Sequence, residues 1–96
     1  VLGIIALDRI APNPNRGKVR IQWQVPRLAS VSLKVYDSSG RLVSTLHSGA
    51  TKPGRYVTVW NGADAKGRRL AAGIYFCTLD NGEKRISRKV VLASGG

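Results

Sequence analysis

Apolar and polar residues alternate along much of the chain, and where the alternation stops, glycine, aspartate, asparagine or proline stands. Val19, Ile21, Trp23 and Val25 are separated by Arg20, Gln22 and Gln24, the period of two that marks a strand with one buried face. That parity assigns Trp23 to the core. Val31, Leu33 and Val35 alternate with Ser32, Lys34 and Tyr36 in the same way. Asp37-Ser38-Ser39-Gly40 then turns the chain into a strand over 41–46, because aspartate supplies a local acceptor and glycine a positive φ.

Residues 48–54 read as a loop, and 55–60 are apolar enough to be a strand on either parity. Tyr56, Thr58 and Trp60 are assigned inward, since two large aromatics bury more area than Val57 and Val59. Turn signals follow at Asn61-Gly62 and Asp64-Ala65-Lys66-Gly67, and Leu70-Ala71-Ala72-Gly73 leads into a strand over 74–79. Asp80-Asn81-Gly82 closes a last hairpin with 84–92. About seven short strands with no crossover helices predict an all-β, immunoglobulin-like sandwich of antiparallel strands.

Ninety-six residues make one small domain with enough apolar surface for a single core. The absence of methionine points to a processed product or an excised piece of something longer. The apolar opening is too short to span a membrane and lacks the basic flank of a signal peptide. It reads as a linker end, 1–6, running into the domain at 7–92, with 93–96 as a tail. Cys77 stands alone, which excludes an internal disulfide framework and a cysteine-rich metal site. Between Ile74, Tyr75, Phe76 and Leu79 it reads as a small core residue.

Sixteen lysines and arginines against five acids give a formal charge of +11, which predicts attraction to polyanions, anionic lipopolysaccharide or other polysaccharide among them. No recognition helix and no aromatics interleaved with the basic residues are evident, so specific nucleic-acid binding is not expected. Asp8, Asp37, Asp64 and Asp80 are isolated, and the last three precede a glycine by two or three residues, which favours turn chemistry over calcium. His47 has no carboxylate or cysteine beside it in sequence. The inventory assembles neither a nucleophile with its base nor a carboxylate pair, so no catalytic residue, metal or cofactor is expected.

The order Pro12-Asn13-Pro14, Gly17, Val25-Pro26, Val35-Tyr36-Asp37, Gly40-Arg41-Leu42-Val43, Gly49, Gly54, Trp60-Asn61-Gly62, Asp64, Gly67, Leu70, Ala72-Gly73-Ile74-Tyr75-Phe76 and Lys89-Val90-Val91-Leu92 resembles the C-terminal sorting domains, type A, of type IX secretion substrates. It is similar also to the related immunoglobulin-like domain of the flagellar hook-capping protein. The resemblance covers 7–92 and implies a noncatalytic module at the end of a larger secreted protein of a Gram-negative bacterium. Such a module passes through the periplasm to the cell surface, is read by an outer-membrane translocon and is removed by a sortase-like peptidase. On this resemblance Lys89, Val90, Val91 and Leu92 are the expected translocon contacts, a basic and apolar terminal strand suited to edge pairing. Pro12, Asn13, Pro14, Trp60, Gly62, Asp64, Gly67, Gly73 and Tyr75 are motif residues expected to maintain the fold, with Asn13 in a rigid extended lead-in.

Two alternatives stay open: an accessory module that holds an extracellular enzyme to anionic glycan or the cell surface, and a structural domain of a flagellar hook cap. The isolated domain is expected to be a monomer. Thr58 departs from the family pattern, where an aliphatic is usual, and Arg88 interrupts the alternation of Ile86, Val90 and Leu92. Both leave the register of 55–60 and 84–92 open.

Overall fold

The computed structural model describes residues 4–14 and 16–93. Residues 1–3 of the expected linker end (1–6) and 94–96 of the expected tail (93–96) lie outside the described residues. Seven strands follow one another: β1 (Ala6–Ala11), β2 (Val19–Val25), β3 (Ala29–Asp37), β4 (Leu42–Thr51), β5 (Gly54–Trp60), β6 (Gly73–Asp80) and β7 (Arg85–Leu92). A three-stranded sheet in the order β1-β2-β5 faces a four-stranded sheet in the order β4-β3-β6-β7, and every pairing is antiparallel. This is the immunoglobulin-like β-sandwich that the alternation predicts.

The core lies between the sheets. Val19, Ile21, Trp23 and Val25 meet Val31, Leu33 and Val35, with Tyr75, Cys77 and Leu79 from β6 and Val90 and Leu92 from β7. Burial of each large aliphatic contributes roughly 1.5–3 kcal/mol, which gives a single core the dominant share of the stability. The parity of β5 is the expected one: Trp60 is buried, while Val57 and Val59 are about half exposed. Across β2 and β5, Trp23 opposes Tyr56 and Ile21 opposes Thr58, so the register is continuous. Thr58 has a specific job there. Its hydroxyl accepts a hydrogen bond from Trp23 Nε1 at 3.0 Å, satisfying an indole whose side chain is 1% exposed, and the Trp23 ring stacks on Tyr56 at 4.6 Å.

Two expectations need correction. Ile5 and Ala6, assigned to the lead-in, belong to the packed unit, since Ile5 and Leu7 both point into the core and Ala6 opens β1. The loop expected at 48–54 is mostly strand: β4 continues to Thr51, held by pairing with the first residues of β3. Serine, glycine and alanine hide this strand from a propensity reading, whereas pairing and the buried Thr51, whose hydroxyl donates to the Gly49 carbonyl at 2.9 Å, stabilise it. The register of β7, left open by Arg88, runs without a shift. Arg88 sits opposite Cys77 on the inward parity but remains exposed, because β7 is at the sheet margin.

The turns repeat one solution. Asp37 Oδ1 accepts from the amides of Ser39 and Arg41 at 3.0 and 2.9 Å while Oδ2 meets Arg41 Nε at 3.2 Å. Asp64 does the same with Lys66, Arg68 and Arg68 Nε at 2.9, 2.9 and 3.0 Å. Gly40 and Gly67 complete them at φ 89° and 83°.

Candidate functional site

Strand β7 ends the four-stranded sheet, so only one of its sides pairs with β6. Val90 and Leu92 are buried in the core, Lys89 is exposed and Val91 half-buried, so the four expected contact residues divide into an inner and an outer pair. Antiparallel pairing sends the backbone groups of alternate residues toward β6 and toward the open edge. At that edge stands Asn13. Its Nδ2 donates to the Lys89 carbonyl at 3.0 Å and its Oδ1 accepts from the Val91 amide at 2.8 Å.

The carboxamide thus pairs with β7 as one peptide unit of an eighth strand would. Pro12 and Pro14 flank it, each preceded by a cis bond, at Ala11-Pro12 and Asn13-Pro14. The sequence reading of an extended lead-in missed this contact, which links residues far apart in the chain. One signal was present: an asparagine, which carries the donor and acceptor of a peptide group, held between two residues that fix φ.

Other motif residues gather around the same strand. Tyr75 opposes Val90 and Gly73 opposes Leu92 across β6 and β7. Tyr75 donates its hydroxyl to the Ala71 carbonyl at 2.7 Å and sets its ring edge-on to Trp60, 5.7 Å between centroids. Burial raises the ionisation of that phenol above its ordinary range. Trp60 Nε1 donates to the Ala63 carbonyl at 3.0 Å, closing the loop after β5. Gly62 in that loop is buried at φ 73°, and a Cβ there would lie 3.2 Å from both Gly17 Cα and Leu92 Cδ1. Asp64 and Gly67 stand apart, in the turn that docks on β4 through Ala65 N and the Val43 carbonyl at 2.9 Å.

The outer face of this sheet is partly apolar. Leu42, Tyr36, Phe76 and Lys89 form a row across β4, β3, β6 and β7, with Ile74 and Val91 paired beside it. Leu42, Ile74 and Phe76 are 52%, 45% and 36% exposed. A shallow groove of about 340 Å³ runs alongside, between Tyr36, Phe76, Thr78, Arg85 and Ser87. Arg85 Nε meets Asp80 Oδ2 at 3.1 Å, and the Gly82 amide and Arg85 together hold the Asp80 carboxyl below its ordinary range. Asp37 is held at about 2 by the Ser39 hydroxyl and the Arg41 amide.

The remaining reactive groups are occupied structurally. His47 Nε2 lies 2.7 Å from Thr51 Oγ1, and because that hydroxyl donates to Gly49, the imidazole is the donor. Its ring packs 5.1 Å from Trp23. Burial pushes the Cys77 thiol up to about 12, which keeps it protonated and unreactive. Among the described residues no three histidine, cysteine or carboxylate side chains gather as metal ligands. Nor is any helix long and apolar enough to cross a membrane.

The family model described as the FlgD Ig-like domain matches residues 10–84. No curated protein matches the chain by sequence. Among solved structures, dimeric latent PorU from Porphyromonas gingivalis shares the fold with a TM-score of 0.69 at 19% identity, over 97% of this chain and 10% of that one. PorZ, an essential bacterial surface component of the type-IX secretion system of the same organism, gives 0.58 at 25% identity, over 88% of this chain and 11% of that one. FlgD from Xanthomonas campestris, solved for its part in hook capping, gives 0.61 at 22% identity, over 92% of this chain and 64% of that one. The chain therefore spans about a tenth of PorU and PorZ and somewhat under two thirds of that FlgD chain.

Proposed function

The chain belongs to the family of FlgD Ig-like domains, and on that premise we propose that it is a noncatalytic module of a larger secreted protein, a type A sorting signal read by an outer-membrane translocon. The observation that carries this reading is the likeness to PorZ, a surface component of the type-IX secretion system, at 25% identity over 88% of the chain. The gathering of motif residues around β7 supports it. Asn13 holds the edge of the strand, Gly62 packs against its end, and Tyr75 and Gly73 oppose it. The face of β7 that a receptor would meet carries Lys89 and the half-buried Val91, while Val90 and Leu92 anchor the strand in the core. In this reading the module travels through the periplasm to the cell surface, and a sortase-like peptidase removes it there.

The test is a fusion of the full chain, residues 1–96, to a periplasmic reporter in a host with a working type IX system. Reporter on the surface or in the medium is the expected result, and reporter retained in the periplasm refutes the reading. A second reading, an accessory module that holds an extracellular enzyme to anionic glycan, is favoured by the charge of +11. It predicts retention on an acidic polysaccharide column at low ionic strength that fades as salt is added. Passage through the column at low salt removes it. A structural role in a hook cap predicts self-assembly at high concentration, which sedimentation tests directly.

A further inference from the structure

We propose that the outer edge of β7 is a strand-addition site for an acidic, extended segment of a partner protein, and that Asn13 is the side-chain latch that closes half of it. The inference rests on the reading of β7 as the recognition strand and specifies how it is read.

Asn13 engages the Lys89 carbonyl and the Val91 amide. Those bonds fix which residues of β7 turn their backbone to the edge. The pairing with β6 runs without a register shift from Arg85 to Leu92, so Arg85 and Ser87 share that orientation with Lys89 and Val91. Among the described residues no strand other than β6 pairs with β7, although β1 of the facing sheet approaches it. The half of the edge nearer the hairpin is thus a row of donors and acceptors, the feature that an incoming strand completes. The other half is already completed by a side chain that a real strand can replace bond for bond.

Charge selects the occupant. Lys84, Arg85, Arg88 and Lys89 lie along or just before β7, and Arg88 stays exposed although its parity is inward. A second copy paired edge to edge would set these cations against their own kind, and the charge of +11 opposes its approach. An extended segment with acidic residues on alternate positions places them beside Arg85 and Lys89 instead. Its intervening side chains lie toward Val90 and Leu92 at the rim of the core. An added strand would also extend the outer face past Phe76 and Ile74, adjoining the groove lined by Arg85 and Ser87.

The latch sets the threshold. Hydrogen bonds lost at Asn13 are regained from the incoming strand, so strand addition is held back by the latch without being forbidden. Removing the latch releases the Lys89 carbonyl and the Val91 amide from Asn13 to an incoming strand and tightens binding.

The probe is a synthetic peptide of alternating glutamate and valine, with a lysine and valine peptide as control, titrated into the full chain and followed by amide chemical shifts and hydrogen exchange. The expected result is weak binding of the acidic peptide with changes along 85–91 and none with the basic peptide. Asn13→Ala should bind about tenfold more tightly and should exchange its Val91 amide faster without peptide. Ser87→Pro places a proline where the amide faces the edge, so the ladder to β6 survives and peptide binding is lost. Equal binding of both peptides, changes away from β7, unchanged affinity in a folded Asn13→Ala, or binding retained by Ser87→Pro overturns the proposal. The Ser87→Pro outcome decides the matter even if Asn13→Ala does not fold. Because binding is measured on the purified chain, its failure removes strand addition alone, and export of the reporter fusion decides the sorting reading separately.

Discussion

Thr58→Val changes one atom group in a fixed frame. Valine has nearly the shape of threonine, so the substitution removes the hydroxyl that accepts Trp23 Nε1 at 3.0 Å and leaves the packing almost unaltered. The indole cannot turn away to find water, because its ring is 1% exposed and stacked on Tyr56 at 4.6 Å. A buried donor left without a partner costs roughly 1–3 kcal/mol, offset in part by the added apolar burial of valine. A net loss of about 1–2 kcal/mol lowers the melting temperature of a domain this size by roughly 5–15 °C. Thermal melts followed by circular dichroism measure it. The cycle with Trp23→Phe isolates the bond, since Thr58→Val should cost close to nothing once the indole is gone. A Thr58→Val protein as stable as the parent, or an equal cost in both backgrounds, refutes the assignment of Thr58 as the indole's partner.

Gly62→Ala meets Gly17 Cα and Leu92 Cδ1 at 3.2 Å on a backbone at φ 73°, and should lose roughly 2–3 kcal/mol in a urea titration. Gly67→Ala, at φ 83° with nothing within 4 Å, should lose only about 1 kcal/mol. Asp37 titrates at about 2 in the fold against an ordinary 3.8, so its contribution is fully present above about pH 4 and is lost as the pH falls toward about 2. Urea midpoints across that range should fall, and should fall less steeply in Asp37→Asn. Cys77, buried with its thiol pushed up to about 12, should resist a thiol reagent in the native chain and react at once in urea; labelling of the native chain at the denatured rate contradicts the burial.

Much of the sandwich was legible because alternation reports burial directly. β2 and β3 follow it residue by residue, and the aspartate turns at Asp37, Asp64 and Asp80 form where aspartate and glycine stand together. β4 beyond Leu46 was not legible, since Ser48, Gly49 and Ala50 carry no β preference and are strand only because β3 pairs with them. Thr58 looked like a departure from pattern because its role depends on an indole on another strand. The site was legible only in part. Its terminal strand could be marked from the resemblance, while Arg88 left the parity of Val90 and Leu92 open until the pairing with β6 was seen. The flanking prolines mark Asn13 as held, but its partners could not be read, because they are more than seventy residues away and the contact exists only once both sheets have formed. Sequence periodicity reports which face of a strand is buried and says nothing about which side chain closes an edge.

Surface display of a reporter carrying the full chain, residues 1–96, in two hosts that differ only in the type IX translocon tests the central reading most directly. The expected result is reporter at the surface of the competent host and in the periplasm of the deficient one. Equal distribution in the two hosts contradicts it, whatever the fold and the family.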